Sequence, residues 1–337
     1  MVDTIPMDGS CDAVITSGLR KSFQAGGRSI EAVRGVDLRV RTGEIFGFLG
    51  PNGAGKTTAM RMLTTLLPID GGRAVVAGVD VAARLHEVRR RIGYVGQLGG
   101  ADLPATGREN LLLQAQLYGA SRAEAGKRAD ELIGLLNLAD FVDRTARTYS
   151  GGQRRRLEVA LGIMNRPKVL FLDEPTTGLD SQNRANLWDQ ARALRAAGTT
   201  VILTTHYLEE ADALADRVAI IDRGRVVAEG TPRQLKRQIA GDAIVIKPRL
   251  AAGGAETLRR DLAGQSFVKE ALTEGEALRL YVDDGARALP LVIDLLRAGS
   301  VPLDTVSLSE ASLDDVFLRR TGRSLRDAGA PAQEVTA

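Results

Sequence analysis

Residues 50–57 read GPNGAGKT, and this octet constrains the chain more than any other stretch. It fits the spacing G-x-x-x-x-G-K-[ST] at every fixed position. The apolar run EIFGFLG leads into it, and TTAMRMLTTLL follows with helical spacing. A strand that passes through a glycine-rich turn into a helix aims backbone N–H groups and a positive helix end at one point. That arrangement suits phosphate. Gly53 and Gly55 let the loop turn inward and approach its ligand, where a side chain would obstruct. Lys56 reaches the outer phosphates, and the Thr57 hydroxyl suits Mg2+. Gly50, Pro51, Asn52, Ala54 and Thr58 complete the stretch expected to hold nucleotide.

The residues that would complete such a site come later in the chain. VLFLDEP, residues 169–175, is an apolar strand ending in Asp173, which suits Mg2+ held through water. Glu174 follows, placed to orient and deprotonate an attacking water. Alone, this is a strand ending in a solvated acidic turn; beside the phosphate loop it gains a purpose. His206 in TTHYLEEAD lies just past another apolar strand, TVILTT, in reach of a γ-phosphate. A loop histidine held by an ordinary hydrogen bond is its plainer reading. His86, the only other histidine, sits on an exposed helix and has no role. Gln97, in YVGQ, ends a strand before a helical block, where an amide touches Mg2+ or water. By itself it would be a surface amide.

YSGGQRRR, residues 149–156, is a second glycine-rich loop with neither a metal ligand nor a base. It opens the helical run RRRLEVALGIMN, so its hydroxyl, amides and helix end form an anion site. Arg154, Arg155 and Arg156 either add positive field there or form a solvated helix face.

Length suits two domains, with 337 residues to divide. From residue 12 to about 40 the pattern is strand-like, GGRAVVAG adds a strand, and residues 98–166 are mainly helical. KVLFLD and TVILTT are unbroken apolar runs, read as parallel strands buried on both faces, with a helix at about 181–197 between them. VAIIDRGRVVAEG closes this part as a hairpin turning at Arg223 and Gly224. A nucleotide-binding domain is therefore expected over 12–240. Residues 241–323 order as strand, helix, strand, strand, helix, strand, a ferredoxin-like α+β unit, followed by a helix capped by Ser312. The tail from 324 to 337 is expected to be disordered.

Lys and Arg total 45 against 42 Asp and Glu, a net charge of +3, so no nucleic-acid partner is expected. Cys11 is the only cysteine, which excludes a disulfide within the chain and a cysteine metal cluster. The N-terminus has no basic start or apolar run, and the most apolar stretches are of strand length. A cytoplasmic chain is expected, and any membrane-spanning part must come from a partner.

In order along residues 12–230, these features resemble the nucleotide-binding subunit of an ABC transporter. Residues 50–57 resemble its phosphate loop, Gln97 its Q-loop, YSGGQ its LSGGQ signature, FLDEP its Walker B strand, TTGLD its D-loop and His206 its switch histidine. Tyr149 stands where many members carry Leu, and Phe23, where many carry Tyr, fits the aromatic that stacks on adenine. The resemblance implies an α/β P-loop NTPase core with an antiparallel β subdomain and a helical subdomain, the small α+β domain lying beyond it. It implies ATP and Mg2+ as cofactors, and ATP hydrolysis coupled to transport. It also implies a head-to-tail dimer in which Ser150, Gly151, Gly152, Gln153 and Asp180 complete the ATP site of a second subunit. DLPATGRENL, TTHYLEEAD and the late LSEASLDDVFLRRTG are similar to the daunorubicin/doxorubicin-resistance type. That type exports a hydrophobic drug, antibiotic or lipid-like compound through a separate ABC-2 permease, with the ATPase peripheral on the cytoplasmic face.

Three other readings compete with this one. Repair and chromosome ATPases of the superfamily insert coiled coils or zinc modules between the two ATP motifs; about a hundred residues separate Lys56 from Asp173 here, without heptads or cysteine pairs. Translation factors carry two cassettes in one chain, and this chain has one. An importer ATPase would share every ATP motif, so site chemistry does not separate it from an exporter.

Overall fold

The structure is a computed structural model that describes residues 12–237, 242–249, 254–274, 276–310 and 312–325. Cys11 and residues 326–337 of the tail lie outside them, while Ser324 and Leu325 are buried. The chain divides into two units, residues 1–227 and 228–337.

In the first unit, β1 (Asp12–Ala25) and β2 (Arg28–Arg41) form a long antiparallel pair. The buried β3 (Ile45–Leu49) then runs into the phosphate loop and α1 (Lys56–Leu63). After β4 (Gly71–Val76), β5 (Val79–Asp80) and α2 (Leu85–Arg91), β6 (Ile92–Val95) ends just before Gln97. The helical block follows: α3 (Gly107–Leu117), α4 (Arg122–Leu135), a 3-10 turn (Ala146–Thr148) and α5 (Gly151–Gly162). Next come β7 (Val169–Asp173), α6 (Ser181–Ala196), β8 (Thr200–Thr205), α7 (Leu208–Leu214), β9 (Arg217–Asp222) and β10 (Arg225–Gly230), the last of which runs past the division after residue 227.

The strands make two sheets. One has the order β2-β1-β4-β5 and is antiparallel. The other has the order β10-β9-β3-β8-β7-β6, and its pairs from β9 to β6 are parallel. Every residue of β3, β7 and β8 is buried, and alternate residues feed opposite faces. Ile45, Leu170, Leu172, Val201 and Leu203 pack with the helical block. Phe46, Phe48, Val169, Phe171 and Ile202 pack with α1 and the antiparallel sheet. This period of two is what a central sheet covered on both sides requires. The carboxyl ends of β3, β7 and β8 converge, as open α/β sheets require of a site at their C-terminal edge. The hairpin turn has φ 46° at Arg223 and 78° at Gly224, the backbone of a tight primed turn.

The second unit holds α8 (Pro232–Arg237), β11 (Asp242–Pro248), α9 (Gly254–Ala263), β12 (Val268–Glu274), β13 (Ala277–Val282), α10 (Gly285–Ala298), β14 (Leu303–Glu310) and α11 (Leu313–Thr321). Its antiparallel sheet has the order β12-β13-β11-β14, the arrangement of a ferredoxin-like βαββαβ unit. The 240/241 boundary read from sequence falls outside the described residues. The contacts divide the chain earlier, and α8 packs with α11.

The LDDVF stretch forms the start of α11, where Ser312 makes a capping box with Asp315. Asp315 is buried and also accepts from Tyr281 Oη at 2.8 Å and Arg279 Nη1 at 2.7 Å. Burial, together with the Asp315 carboxylate, pushes the Tyr281 phenol well up, so it stays a donor. No helix among the described residues is long and apolar enough to cross a membrane.

Candidate nucleotide-binding and hydrolysis site

The phosphate loop leaves β3 at Leu49 and enters α1 at Lys56. Gly55 caps α1 with φ 103°, a conformation that side chains resist. A Cβ at Gly55 would lie 2.4 Å from the Ala32 carbonyl oxygen. The close approach that demands this glycine is thus to the β2 backbone, whereas the sequence reading assigned it to the ligand. At Gly53 the φ of 77° is the constraint, because nothing lies within 4 Å of a Cβ there. The first amides of α1 lack intrahelical acceptors, as at any helix start, and are available to an anion.

Lys56 is buried and donates to Gly50 O at 2.7 Å and Pro51 O at 3.0 Å. Burial lowers its pKa, while the Glu174 and Asp173 carboxylates pull the other way. A phosphate beside Nζ would add to that upward pull and favour the ammonium form.

Asp173 ends β7 fully buried. Its Oδ1 accepts from Thr57 Oγ1 at 2.9 Å and Thr204 Oγ1 at 2.6 Å, and Tyr94 Oη donates to its Oδ2 at 3.4 Å. A hydroxyl and a carboxylate at this spacing fit Mg2+, which takes few protein ligands and keeps waters and phosphate oxygens. No group of three or more acidic, histidine or cysteine side chains able to cage a metal exists among the described residues.

Glu174 adopts φ 44°. A left-handed non-glycine residue costs on the order of 1–3 kcal/mol, so its surroundings must hold it. Its amide donates to Thr204 Oγ1 at 2.9 Å. Its Oε1 lies 3.7 Å from Lys56 Nζ and 3.3 Å from His206 Nδ1, the latter without hydrogen-bond geometry. His206 also lies against Tyr207, with ring centroids 4.1 Å apart and the ring planes tilted by 40°. Lys56, Thr57, Asp173, Glu174 and His206, spread over 150 residues of sequence, thus meet where β3, β7 and β8 end.

Other expected residues stand apart from this cluster. Gln97 lies in the turn after β6, exposed and without a hydrogen-bond partner among the described residues. Phe23 is 39% exposed on β1, with Lys21 Nζ over its ring at 5.7 Å from the centre. Ser150 and Gln153 form a reciprocal capping box at the start of α5: Gln153 N donates to Ser150 Oγ at 3.2 Å and Ser150 N to Gln153 Oε1 at 3.0 Å. The serine hydroxyl accepts in that bond, and its proton remains to be donated. Gly151 is exposed. Gly152 is buried, because a Cβ there would strike the Asn183 amide. Asn183 in turn donates twice to Asp180, the cap of α6, which holds that carboxyl below its usual range. The start of α5 and the cap of α6 are thus fitted to each other through Asn183.

The sequence reading missed Thr204, Tyr94 and Arg155. Thr204 alternates inward two residues before His206, a legible signal. Arg155 stood in a run of three arginines, yet it is buried and bonds to the backbone at the end of β7, while Arg156 packs on Phe141 and Arg154 is half-buried.

A family model described as "ABC transporter" matches residues 33–177, and one described as "ATP-binding protein DrrA1-3-like, C-terminal domain" matches residues 230–321. The chain is 46% identical to the daunorubicin/doxorubicin resistance ATP-binding protein DrrA of Streptomyces peucetius, over 94% of each chain. It is 41% identical to the Nod factor export ATP-binding protein I of Burkholderia thailandensis, over 88% of this chain and 93% of that one. Among solved structures it is similar to a dimeric post-hydrolysis state of the ATP-binding cassette MJ0796 bound to ADP and Pi. That match has a TM-score of 0.60 and 26% identity, over 65% of this chain and 98% of the other.

Proposed function

The chain belongs to the ABC transporter family as an ATP-binding, ATP-hydrolysing subunit of exporter type, and from that premise we propose what it exports, through what, and by which residues. Its cargo is a hydrophobic drug, antibiotic or lipid-like compound, moved through a separate ABC-2 type permease on whose cytoplasmic face the chain sits. The convergence of Lys56, Thr57, Asp173, Glu174 and His206 at the ends of three parallel strands carries the hydrolytic part of this reading, and the cargo and direction rest on the relatives. The relatives named for drug resistance and Nod factor export support an outward direction.

In this reading residues 50–58 wrap the phosphates with backbone amides, and Lys56 exchanges its carbonyl acceptors for the outer phosphates. Phe23 stacks on the base. Thr57 and Asp173, with Gln97 brought in from its turn, would hold Mg2+, which when bound would neutralise charge on the transferring phosphoryl group. Glu174 Oε1 accepts the proton of the attacking water, and His206 steadies that carboxylate and meets the γ-phosphate. Ser150, Gly151, Gly152, Gln153 and Asp180 serve the site of a second copy, with the Ser150 hydroxyl and the α5 end as donors. The dimeric state of the similar cassette supports a second copy as the partner. The helical block provides the permease contact: α3 leaves Leu113 and Leu117 exposed one turn apart, and Leu98 beside Gln97 is fully exposed. The C-terminal unit is accessory to the ATP machinery and serves assembly or regulation.

The test is transport in proteoliposomes holding the chain and its permease. ATP-dependent movement of at least one hydrophobic compound, abolished by Glu174→Gln, is the expected result. Robust ATP hydrolysis with no compound moved across a broad hydrophobic panel would contradict the assignment.

A further inference from the structure

Arg155 lies two residues past Gln153 in α5, 7% exposed, and its donors go to three separate segments. Nε donates to Pro175 O at 2.8 Å and Nη2 to Asp173 O at 3.3 Å. Nη1 donates to Gly96 O at 2.8 Å and to Glu158 Oε2 at 3.0 Å. The first two acceptors are the carbonyls on either side of Glu174. The third belongs to the residue before Gln97. Glu158, itself buried, closes the other end of that turn, because a Cβ at Gly99 would come within 1.9 Å of its Oε1. A cavity of about 240 Å³, lined by Tyr94, Gly96, Gly99, Glu158 and Gly162 among others, borders the turn and leaves it room to shift.

We propose that Arg155 is the positioning residue through which the signature helix sets Glu174 and the Gln97 turn of its own chain. Engagement of Ser150 by nucleotide held on a second copy is thereby felt at this chain's own ATP site. The proposal rests on the readings of Ser150 and Glu174 given above and adds the link between them. A guanidinium is planar and carries five donors in a fixed fork, so it holds several carbonyls at once in one geometry. Any displacement of α5 must therefore carry the Asp173 and Pro175 carbonyls with it or break charge-assisted bonds. Glu174 is the residue between those carbonyls, and its left-handed backbone persists only while its neighbours fix it. Ser150 is five residues from Arg155 on the same rigid helix. Movement at the exposed loop and orientation of the carboxylate are thus joined by one side chain.

The test is a double-mutant cycle in the full chain, read by single-turnover hydrolysis, with Arg155→Gln, Glu174→Gln and the pair. Arg155→Gln should slow hydrolysis about 10- to 100-fold, the range for a misplaced reacting group. ATP affinity measured without Mg2+ should stay unchanged, because the phosphate loop is intact. In the Glu174→Gln background, Arg155→Gln should cost much less than it does alone, since the part of its effect that runs through Glu174 is already gone. Arg155→Lys should restore little, because an ammonium lacks the fork. Wild-type hydrolysis in Arg155→Gln, or losses that multiply in the pair, would overturn the proposal while leaving Glu174 as base. Near-normal turnover of Glu174→Gln alone would instead remove the reading of Glu174, and the proposal with it. Should Arg155→Gln not fold, Arg155→Lys completes the same cycle. Failure of both to fold would assign Arg155 to domain stability and overturn the proposal.

Discussion

Thr57 and Asp173 are 116 residues apart in sequence, and the threonine hydroxyl donates to the aspartate carboxylate at 2.9 Å. The first turn of α1 and the last residue of β7 are therefore fitted to one another. That pairing places Glu174, the next residue, over the mouth of the phosphate loop, 3.7 Å from Lys56 Nζ.

Glu174→Gln is expected to keep ATP binding and to slow turnover about 100-fold or more, the range for losing a positioned base. The amide retains the side chain's volume and its place beside Lys56 but takes no proton from water. ATP should accumulate in a closed dimer, measurable as nucleotide retained through gel filtration. Turnover close to wild type would remove Glu174 from the mechanism.

Gln97→Ala is expected to weaken transport more than basal ATP hydrolysis. The side chain is exposed and unattached, beside the fully exposed Leu98 and just before the helical block. Transport and ATPase rates measured on the same proteoliposomes separate the alternatives, and equal losses in both would reduce Gln97 to a metal contact.

Glu210 gives the fold a dependence on pH. It is fully buried, accepts from Trp188 Nε1 at 3.2 Å, and burial raises its pKa above the usual carboxylate value. A raised carboxyl pKa means the folded chain binds the extra proton. Its contribution to stability is therefore complete below the unfolded pKa and is lost as pH rises through the folded one. Glu210→Gln should flatten that part of the profile and raise the neutral-pH melting temperature. Identical melting profiles for variant and wild type between pH 4 and pH 8, on the order of the range where carboxyls titrate, would contradict this.

Asp315→Ala removes the acceptor shared by Ser312, Tyr281 and Arg279. Breaking such a buried charged network typically costs about 3–5 kcal/mol. The loss should appear as early unfolding of the C-terminal unit in denaturant titrations. ATP affinity should be unchanged, because every phosphate-facing residue precedes that unit; a parallel loss of ATP binding in the folded variant would show the unit to be part of the site.

Local patterns with a strict chemical purpose were the legible ones. Residues 50–57 carry their spacing in the sequence, and the unbroken apolar runs of β7 and β8 announce strands buried on both faces. Cap chemistry was legible too, at Ser312 and in the S-x-x-Q spacing of Ser150 and Gln153, although the capping box at Ser150 was not drawn from it. Contacts set by tertiary packing were not. Gly55 is fixed by the Ala32 carbonyl, a partner that only the folded hairpin supplies. Arg155 differs from its two neighbours solely by the face of α5 it occupies. The apolar Val159, one turn along from Arg155, hinted that this face is buried, but no periodicity names the carbonyls an arginine will find.

The central claim is that the Ser150 loop completes the ATP site of a second copy, and mixed dimers test it most directly. Lys56→Ala disables the site that holds a chain's own phosphates by removing their balancing cation. Ser150→Arg disables the opposite site, because a bulky side chain fills the space between that loop and the γ-phosphate. Either homodimer then has two damaged sites. In a mixed dimer both lesions fall in one composite site, and the other joins an intact phosphate loop to an intact signature loop. Occluded ATP, measured with Mg2+ present, should reappear on mixing at one per dimer. Mixed dimers that form yet trap no more ATP than either homodimer would contradict a signature loop acting across the interface.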